Sequence, residues 1–345
     1  MAVSVWLDCD PGHDDALAIV LAAHSPAIAL AGVSTVFGNQ SLDKTTRNAL
    51  RMLHAVGAAV RVPVHAGAAK PLLRPPVACP EIHGDSGLNI HPSGATLPDS
   101  THEARAHAPA ILCMAEAVRS GSVLVCTGAL TNAALMLSVF PELAAPSTRI
   151  VFMGGSLGEG NTGAVAEFNM QVDPHAAHIV LNSGADVTMV PLQVTHTALV
   201  TEDVLSRVRG GTPDAPRTRF RDTVANLLMF FAATYANVFG FHSGPPLHDP
   251  VAVAYVLAPE LFVTEMARID VECESPLSYG QTVWDRWKQS GRAANVRVTR
   301  SMDVSLFWHL MVSAIASADA VSPLNVDLAT ASYTEGVTAT VTRIV

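Results

Sequence analysis

Short apolar runs rich in β-formers alternate with longer runs whose apolar residues recur at helical spacing, over at least two-thirds of the 345-residue chain. A chain patterned this way pairs its strands in parallel through helical crossovers, because each strand is followed by a helix and not by a tight turn. The predicted strands are 3–8, 30–36, 60–65, 122–127, 149–153 and 186–190, with helices over 14–23, 43–56, 108–119, 131–140 and 174–182. Further helical stretches are predicted at 219–238, 249–257 and 302–317. Near-continuous apolar strands require cover on both faces. The fold class is therefore α/β, a mainly parallel twisted sheet with helices on both faces. Two polar connections, 74–106 and 156–171, are too long for ordinary βα loops and point to function or mobility. With no linker and no internal repeat, residues 1–320 read as one domain and 321–345 as a peripheral C-terminal tail.

Composition narrows the function classes. Apolar residues make up 49% of the chain, enough to exclude disorder and a small stapled scaffold. Charged residues make up only 15%, the net charge is -9, and no Lys/Arg run stands ready to neutralise a row of phosphates, so nucleic acid is excluded as a partner. The five cysteines are an odd number without CxxC spacing, which fits reduced thiols in the cytoplasm. The start of the chain lacks a basic region followed by an apolar one, and the apolar stretch 16–37 is broken by His24 and Pro26, so neither a secretory signal nor a membrane span is expected.

The chemistry gathers where the first strand ends. Asp8, Asp10, Asp14 and Asp15 fall across one strand end, one turn through Pro11-Gly12 and the first turn of a helix. Carboxylates so close together stay ionised only with compensating positive charge, and oxygen-only ligands favour Ca²⁺ or Mg²⁺ over zinc. Simple helix capping by Asp14 and Asp15 is the plainer alternative. A DxD at the end of a first strand also suggests the aspartate-nucleophile phosphatases, but Gly12 stands where those enzymes usually have Thr or Val. A metal-dependent phosphatase is thus the second enzymatic reading.

The run Asp8-Cys9-Asp10-Pro11-Gly12-His13-Asp14-Asp15-Ala16 resembles the DxDPGxDDAxA fingerprint of the nucleoside hydrolases, the inosine-uridine preferring nucleoside N-ribohydrolases. Further matches follow in family order: Asn39, Ile82-His83-Gly84, Thr127-Gly128, Met153-Gly154-Gly155, Glu167-Phe168-Asn169, Thr195-His196 and Leu247-His248-Asp249-Pro250. The resemblance spans residues 3 to 318, including Asp285-Arg286-Trp287, and implies a Rossmann-like nucleoside hydrolase fold.

It also implies an activity and a set of roles. The reaction is Ca²⁺-dependent hydrolysis of the N-glycosidic bond of a ribonucleoside, giving ribose and free base. The matching metal ligands are Asp10, Asp15, the backbone carbonyl of Thr127 and Asp249, a set suited to an ion that takes about 6 to 8 oxygens. Asp10 matches the general base that activates water, and His248 the residue that assists the departing base, where an imidazole of ordinary pKa, about 6.5, would carry a proton near neutrality. Ribose recognition maps onto Asp14, Asn39, Asn161, Glu167 and Asn169. His83 corresponds to a second histidine near the base, and His196 to a supporting one.

Tyr235 and Phe239 lie four apart on one helical face, either beside the base or in ordinary core packing. A tyrosine hydroxyl suits a pyrimidine carbonyl, so uridine is expected to be favoured over inosine. A non-catalytic nucleoside-binding protein on the same scaffold is the alternative from another class; intact Asp10 and His248 speak against it. The resemblance further implies a homodimer or homotetramer.

Overall fold

The computed structural model describes residues 2–92, 96–104, 109–211 and 217–326, and within them the alternating pattern becomes an eight-stranded sheet. Val3–Cys9 (β1), Ile28–Thr35 (β2), Val64–Ala66 (β3), Val123–Cys126 (β4), Arg149–Met153 (β5) and Asp186–Val190 (β6) run parallel in the order β3-β2-β1-β4-β5-β6. Later in the chain come Phe262–Ala267 (β7), Ile269–Val271 (β8), Thr282–Trp284 (β9) and Val296–Met302 (β10). Strand β10 joins β6 in parallel, β7 closes that edge antiparallel to β10, and β8 pairs with β9 in a separate ribbon.

Helices cover both faces. His13–His24 (α1) and Leu42–Ala55 (α2) pack on one face; Ala110–Arg119 (α4), Thr131–Val139 (α5) and Pro174–Leu181 (α7) pack on the other. The first face also carries Glu202–Val208 (α9), Arg219–Phe239 (α10), Asp249–Leu257 (α11) and Val304–Asp319 (α12). Strand β1 shows the division: Val5, Leu7 and Cys9 enter one core, Trp6 the other. Short turns at Pro80–His83 (α3) and Phe168–Val172 (α6) fall on the long connections, and Leu192–Thr195 (α8) follows β6. Helix α1 is buried along its whole length except at His24, which explains a sequence apolar on every side.

The strand order reverses between β1 and β4, so the connections leaving their carboxyl ends diverge and open a crevice there. Asp10 follows β1, Asn39 follows β2 and Thr127 follows β4, which brings three distant motif positions to one place.

Several expectations shift. Strand β3 begins at Val64, not at 60, because residues 58–62 close a turn on the Ala58 carbonyl and Val60 is 87% exposed. Helix α12 begins at Val304, not at 302, because Met302 still belongs to β10 and the Asp303 side chain caps the Leu306 amide. The predicted helix start at residue 108 lies outside the described residues. The first part of the 321–345 tail is ordered against the domain: Ser322 Oγ donates to the Ala55 carbonyl (2.6 Å), and Asn325 Oδ1 accepts from the Phe220 amide (3.0 Å). The rest of that tail lies outside the described residues. Among the described residues no helix is long and apolar enough to cross a membrane.

Candidate active site

A cavity of about 440 Å³ opens over the carboxyl ends of β1 and β4. Its floor holds acidic side chains that α1 and α11 deliver from their first turns. Asp14, Asp15 and Asp249 each offer a carboxylate oxygen, all within 4.8 Å of one another, and all three residues are buried. Asp15 is held firmly: Oδ2 accepts from the Gly12 amide (3.0 Å) and Asn39 Nδ2 (3.2 Å), and Oδ1 accepts from Thr127 Oγ1 (2.7 Å).

Asp10 lies between two glycines. A Cβ on Gly38 would stand 2.1 Å from its Oδ2, and one on Gly128 would stand 2.5 Å from its Oδ1, so only glycine admits the carboxylate there. Oδ2 accepts the Asn39 amide at 2.7 Å, while Oδ1 is buried without a hydrogen-bond partner. An orphaned buried carboxylate oxygen beside three crowded carboxylates is what a hard cation would satisfy. Burial, reinforced by the neighbouring charges, pushes Asp14 up to about 7 and drives Asp10 and Asp249 well above the usual carboxylate range. Asp8, one layer deeper, is also raised to about 7 by burial, despite bonds from Ser34 and Asn132. The donor set therefore fits Ca²⁺ or Mg²⁺. The close carboxylate cluster includes Asp14, assigned to ribose from the resemblance, where the expected ligand set had Asp10.

The ribose candidates ring the floor. Glu167 caps α6: Oε1 accepts the Asn169 amide (2.9 Å), and Oε2 accepts the Gly155 (2.8 Å) and Met170 (3.2 Å) amides. Asn169 Nδ2 donates to the carbonyls of Thr127 (2.8 Å) and Met153 (3.2 Å), which leaves its Oδ1 for a ligand. Asn161 is used the other way, its Oδ1 accepting the Phe168 amide at 3.0 Å, so its Nδ2 remains as donor. Asn39 spends its amide on the Asp10 carbonyl and Asp15, making it a brace for the acidic floor as well as a wall of the cavity.

The opposite wall is aromatic. Phe231, Tyr235 and Phe239 recur every four residues along α10 and border the cavity, with ring centroids 4.5 and 5.0 Å apart. Tyr235 Oη lies 2.8 Å from His248 Nε2, and His248 Nδ1 lies 2.8 Å from Thr195 Oγ1. Burial pushes His248 down to about 3, so the ring is neutral at physiological pH, against the near-neutral titration expected from its type alone. His83 stacks on Phe231 and His13, accepts the His13 amide on Nδ1 (3.2 Å), and is lowered well below its ordinary value by burial. His196 meets His248 edge to face at 5.6 Å, a supporting position.

Every candidate residue named from the sequence borders this cavity except Asp8, Asp10 and Asp15, which lie beneath its floor, and His196, which reaches it only through His248. Sequence reasoning missed Phe231, His13 and Thr195. Phe231 was visible as the position one turn before Tyr235; His13 and Thr195 lie inside matched motifs, but their partners are set by the fold.

Residues 5–309 match the family model described as inosine-uridine preferring nucleoside hydrolase. A pyrimidine-specific ribonucleoside hydrolase, RihA, from Enterobacter sp. (strain 638) is 42% identical over 321 residues, covering 92% of this chain and 98% of the relative. A probable ribonucleoside hydrolase from Dictyostelium discoideum is 41% identical over 322 residues, covering 90% and 94%. Among solved structures, the purine-preferring ribonucleoside hydrolase from Gardnerella vaginalis superposes with a TM-score of 0.82 at 30% identity, covering 92% of this chain and 99% of that one.

Proposed function

The chain belongs to the inosine-uridine preferring nucleoside hydrolase family, enzymes that cleave the N-glycosidic bond of ribonucleosides, and on that premise we propose that it works with bound Ca²⁺ and favours uridine over inosine. The observation that carries the reading is the division of one cavity into an acidic floor, a ring of amides and carboxylates, and an aromatic wall with a hydroxyl. Asp10, Asp15, Asp249 and the Thr127 carbonyl would hold the ion, with Asp14 close beside them. When bound, Ca²⁺ supplies the positive charge that lets these carboxylates ionise together, and it acidifies a coordinated water.

The remaining steps fall to the protein. Asp10, aimed by the Asn39 amide, takes the proton of the attacking water, a contribution of about 10²–10⁴ in rate. Asp14, Asn161 Nδ2 and Asn169 Oδ1 bind ribose hydroxyls, and Glu167 holds the α6 turn that aims Asn169. The carboxylate-rich floor stabilises a ribosyl cation as the bond breaks. Tyr235 and neutral His248 act on the base side by hydrogen bonding, since His248 carries no charge to give. His83 borders the same side.

Uridine preference is supported by Tyr235, whose hydroxyl suits a pyrimidine carbonyl, and by the greater identity to a relative named pyrimidine-specific than to the purine-preferring neighbour. A homodimer or homotetramer is part of the proposal, supported by exposed apolar residues on edge strand β7, Val263 and Met266, and by Trp287. So is a cytoplasmic location, supported by five cysteines of which none is joined in a disulfide. The test is ribose release from uridine and inosine, with elemental analysis of the purified protein and light scattering. Expected are faster turnover of uridine, about one calcium per chain and loss of activity in chelator restored by Ca²⁺; zinc, or full activity without a divalent ion, would overturn the metal assignment.

A further inference from the structure

Thr195 is fully buried, so its single hydroxyl proton has to go to a protein acceptor. Two are within reach: His248 Nδ1 at 2.8 Å and the Leu192 carbonyl at 3.3 Å. The Leu192 carbonyl already accepts the His196 amide at 2.8 Å, whereas His248 Nδ1 has no other hydrogen bond among the described residues. The shorter contact to the needier acceptor takes the proton. With Nδ1 accepting, a neutral imidazole carries its hydrogen on Nε2, and that hydrogen points at Tyr235 Oη, 2.8 Å away. The phenol oxygen is then an acceptor on its inner side, and its own O–H is left for the cavity that Tyr235 borders. The reverse arrangement would send the Tyr235 proton inward to Nε2 and face only lone pairs toward a base that gains negative charge as its bond to ribose breaks.

We propose that Thr195 is a positioning residue for departure of the base: by donating to His248 Nδ1 it holds the Nε2–H tautomer and so turns the Tyr235 hydroxyl outward as a donor to the leaving group. No proton leaves Thr195; the threonine sets the direction of a chain of hydrogen bonds. This rests on the assignment of Tyr235 and His248 to the base side made above. Both ring nitrogens of His248 are occupied within the protein, so the imidazole acts on substrate through Tyr235.

The test uses Thr195→Val, Thr195→Ala and Thr195→Ser, each alone and with Tyr235→Phe, on uridine and on 4-nitrophenyl riboside, whose activated leaving group needs little help. Thr195→Val and Thr195→Ala should lower kcat on uridine, more than KM changes, and by at least ~10-fold more than they lower it on the nitrophenyl riboside. Thr195→Ser, which keeps the hydroxyl, should return uridine turnover to within ~3-fold of the parent. Because Thr195 acts through Tyr235, adding Thr195→Val to Tyr235→Phe should cost little more than Tyr235→Phe alone. Equal losses on both substrates, or losses that multiply in the double variant, would overturn the proposal. If Tyr235→Phe itself hurts both substrates equally, the base-side assignment fails and this proposal with it; if Tyr235→Phe spares the nitrophenyl riboside while the Thr195 variants do not, only the role of Thr195 is refuted.

Discussion

Asp10 combines two properties: its Oδ2 is fixed by the Asn39 amide, and its Oδ1 is buried without a hydrogen-bond partner in the protein. A base needs the first to be aimed and the second to be available. Asp10→Asn keeps the shape and removes the basicity, so kcat on uridine should fall by about 10²–10⁴ while uridine affinity changes little. Single-turnover ribose release together with equilibrium binding checks this, and near-normal turnover would move the base elsewhere. Tyr235 supports a second residue-level prediction. Losing a hydrogen bond to a pyrimidine carbonyl costs roughly 1–3 kcal/mol, so Tyr235→Phe should lower kcat/KM for uridine by about 5- to 150-fold relative to inosine. An unchanged ratio would return Tyr235 and Phe239 to plain packing.

Helix α6 has only five residues, too few to persist by propensity, and it is held at its start by Glu167. That one carboxylate accepts three backbone amides, from Gly155, Asn169 and Met170, and so joins the end of β5 to the turn that carries Asn169. Glu167→Ala leaves those buried donors unpaired and should cost about 2–3 kcal/mol of stability as well as ribose binding; Glu167→Gln, which keeps an oxygen acceptor, should cost less. Urea titration of both variants decides it, and equal stability of the two would mean that the cap carries no weight. Helix α10 works differently. Arg221 near its start pairs with Asp319 of α12 at 2.6 Å, with both side chains largely buried, while its final turns carry the aromatic wall of the cavity. The helix is thus anchored at one end and functional at the other.

Across the whole molecule, the acidic floor sets how stability responds to pH and to calcium. Asp8 and Asp14 are pushed from 3.8 to about 7, and burial also drives Asp10 and Asp249 well above 3.8, so the folded metal-free protein binds more protons than the unfolded chain near neutrality. Its stability should therefore fall as pH rises through the folded values. Buried His13, at about 4, and His248, at about 3, act in the opposite sense, as do His24, His83 and His196, but their effect fades as pH rises past their ordinary 6.5. Between about pH 7 and 8 the carboxylates outweigh the histidines: in chelator the urea midpoint should decline over that window, and Ca²⁺ at a hundredfold excess over Kd should flatten the slope and add about 2.7 kcal/mol of stability. A midpoint that climbs with pH in chelator would refute the argument. The sequence by itself determined the parallel α/β class, since alternating apolar periods admit few other folds, and it determined the motif residues, since their types and order are local. It did not reveal β7 to β10, because strands such as Val296–Met302 interleave arginines with apolar residues and earn their place only by pairing with β6 and β7. Nor did it reveal that Asp14 joins Asp15 and Asp249, that His248 is neutral, or that Thr195 bonds it. Those properties depend on burial and on distances between residues far apart in the chain, and only the tertiary structure sets both.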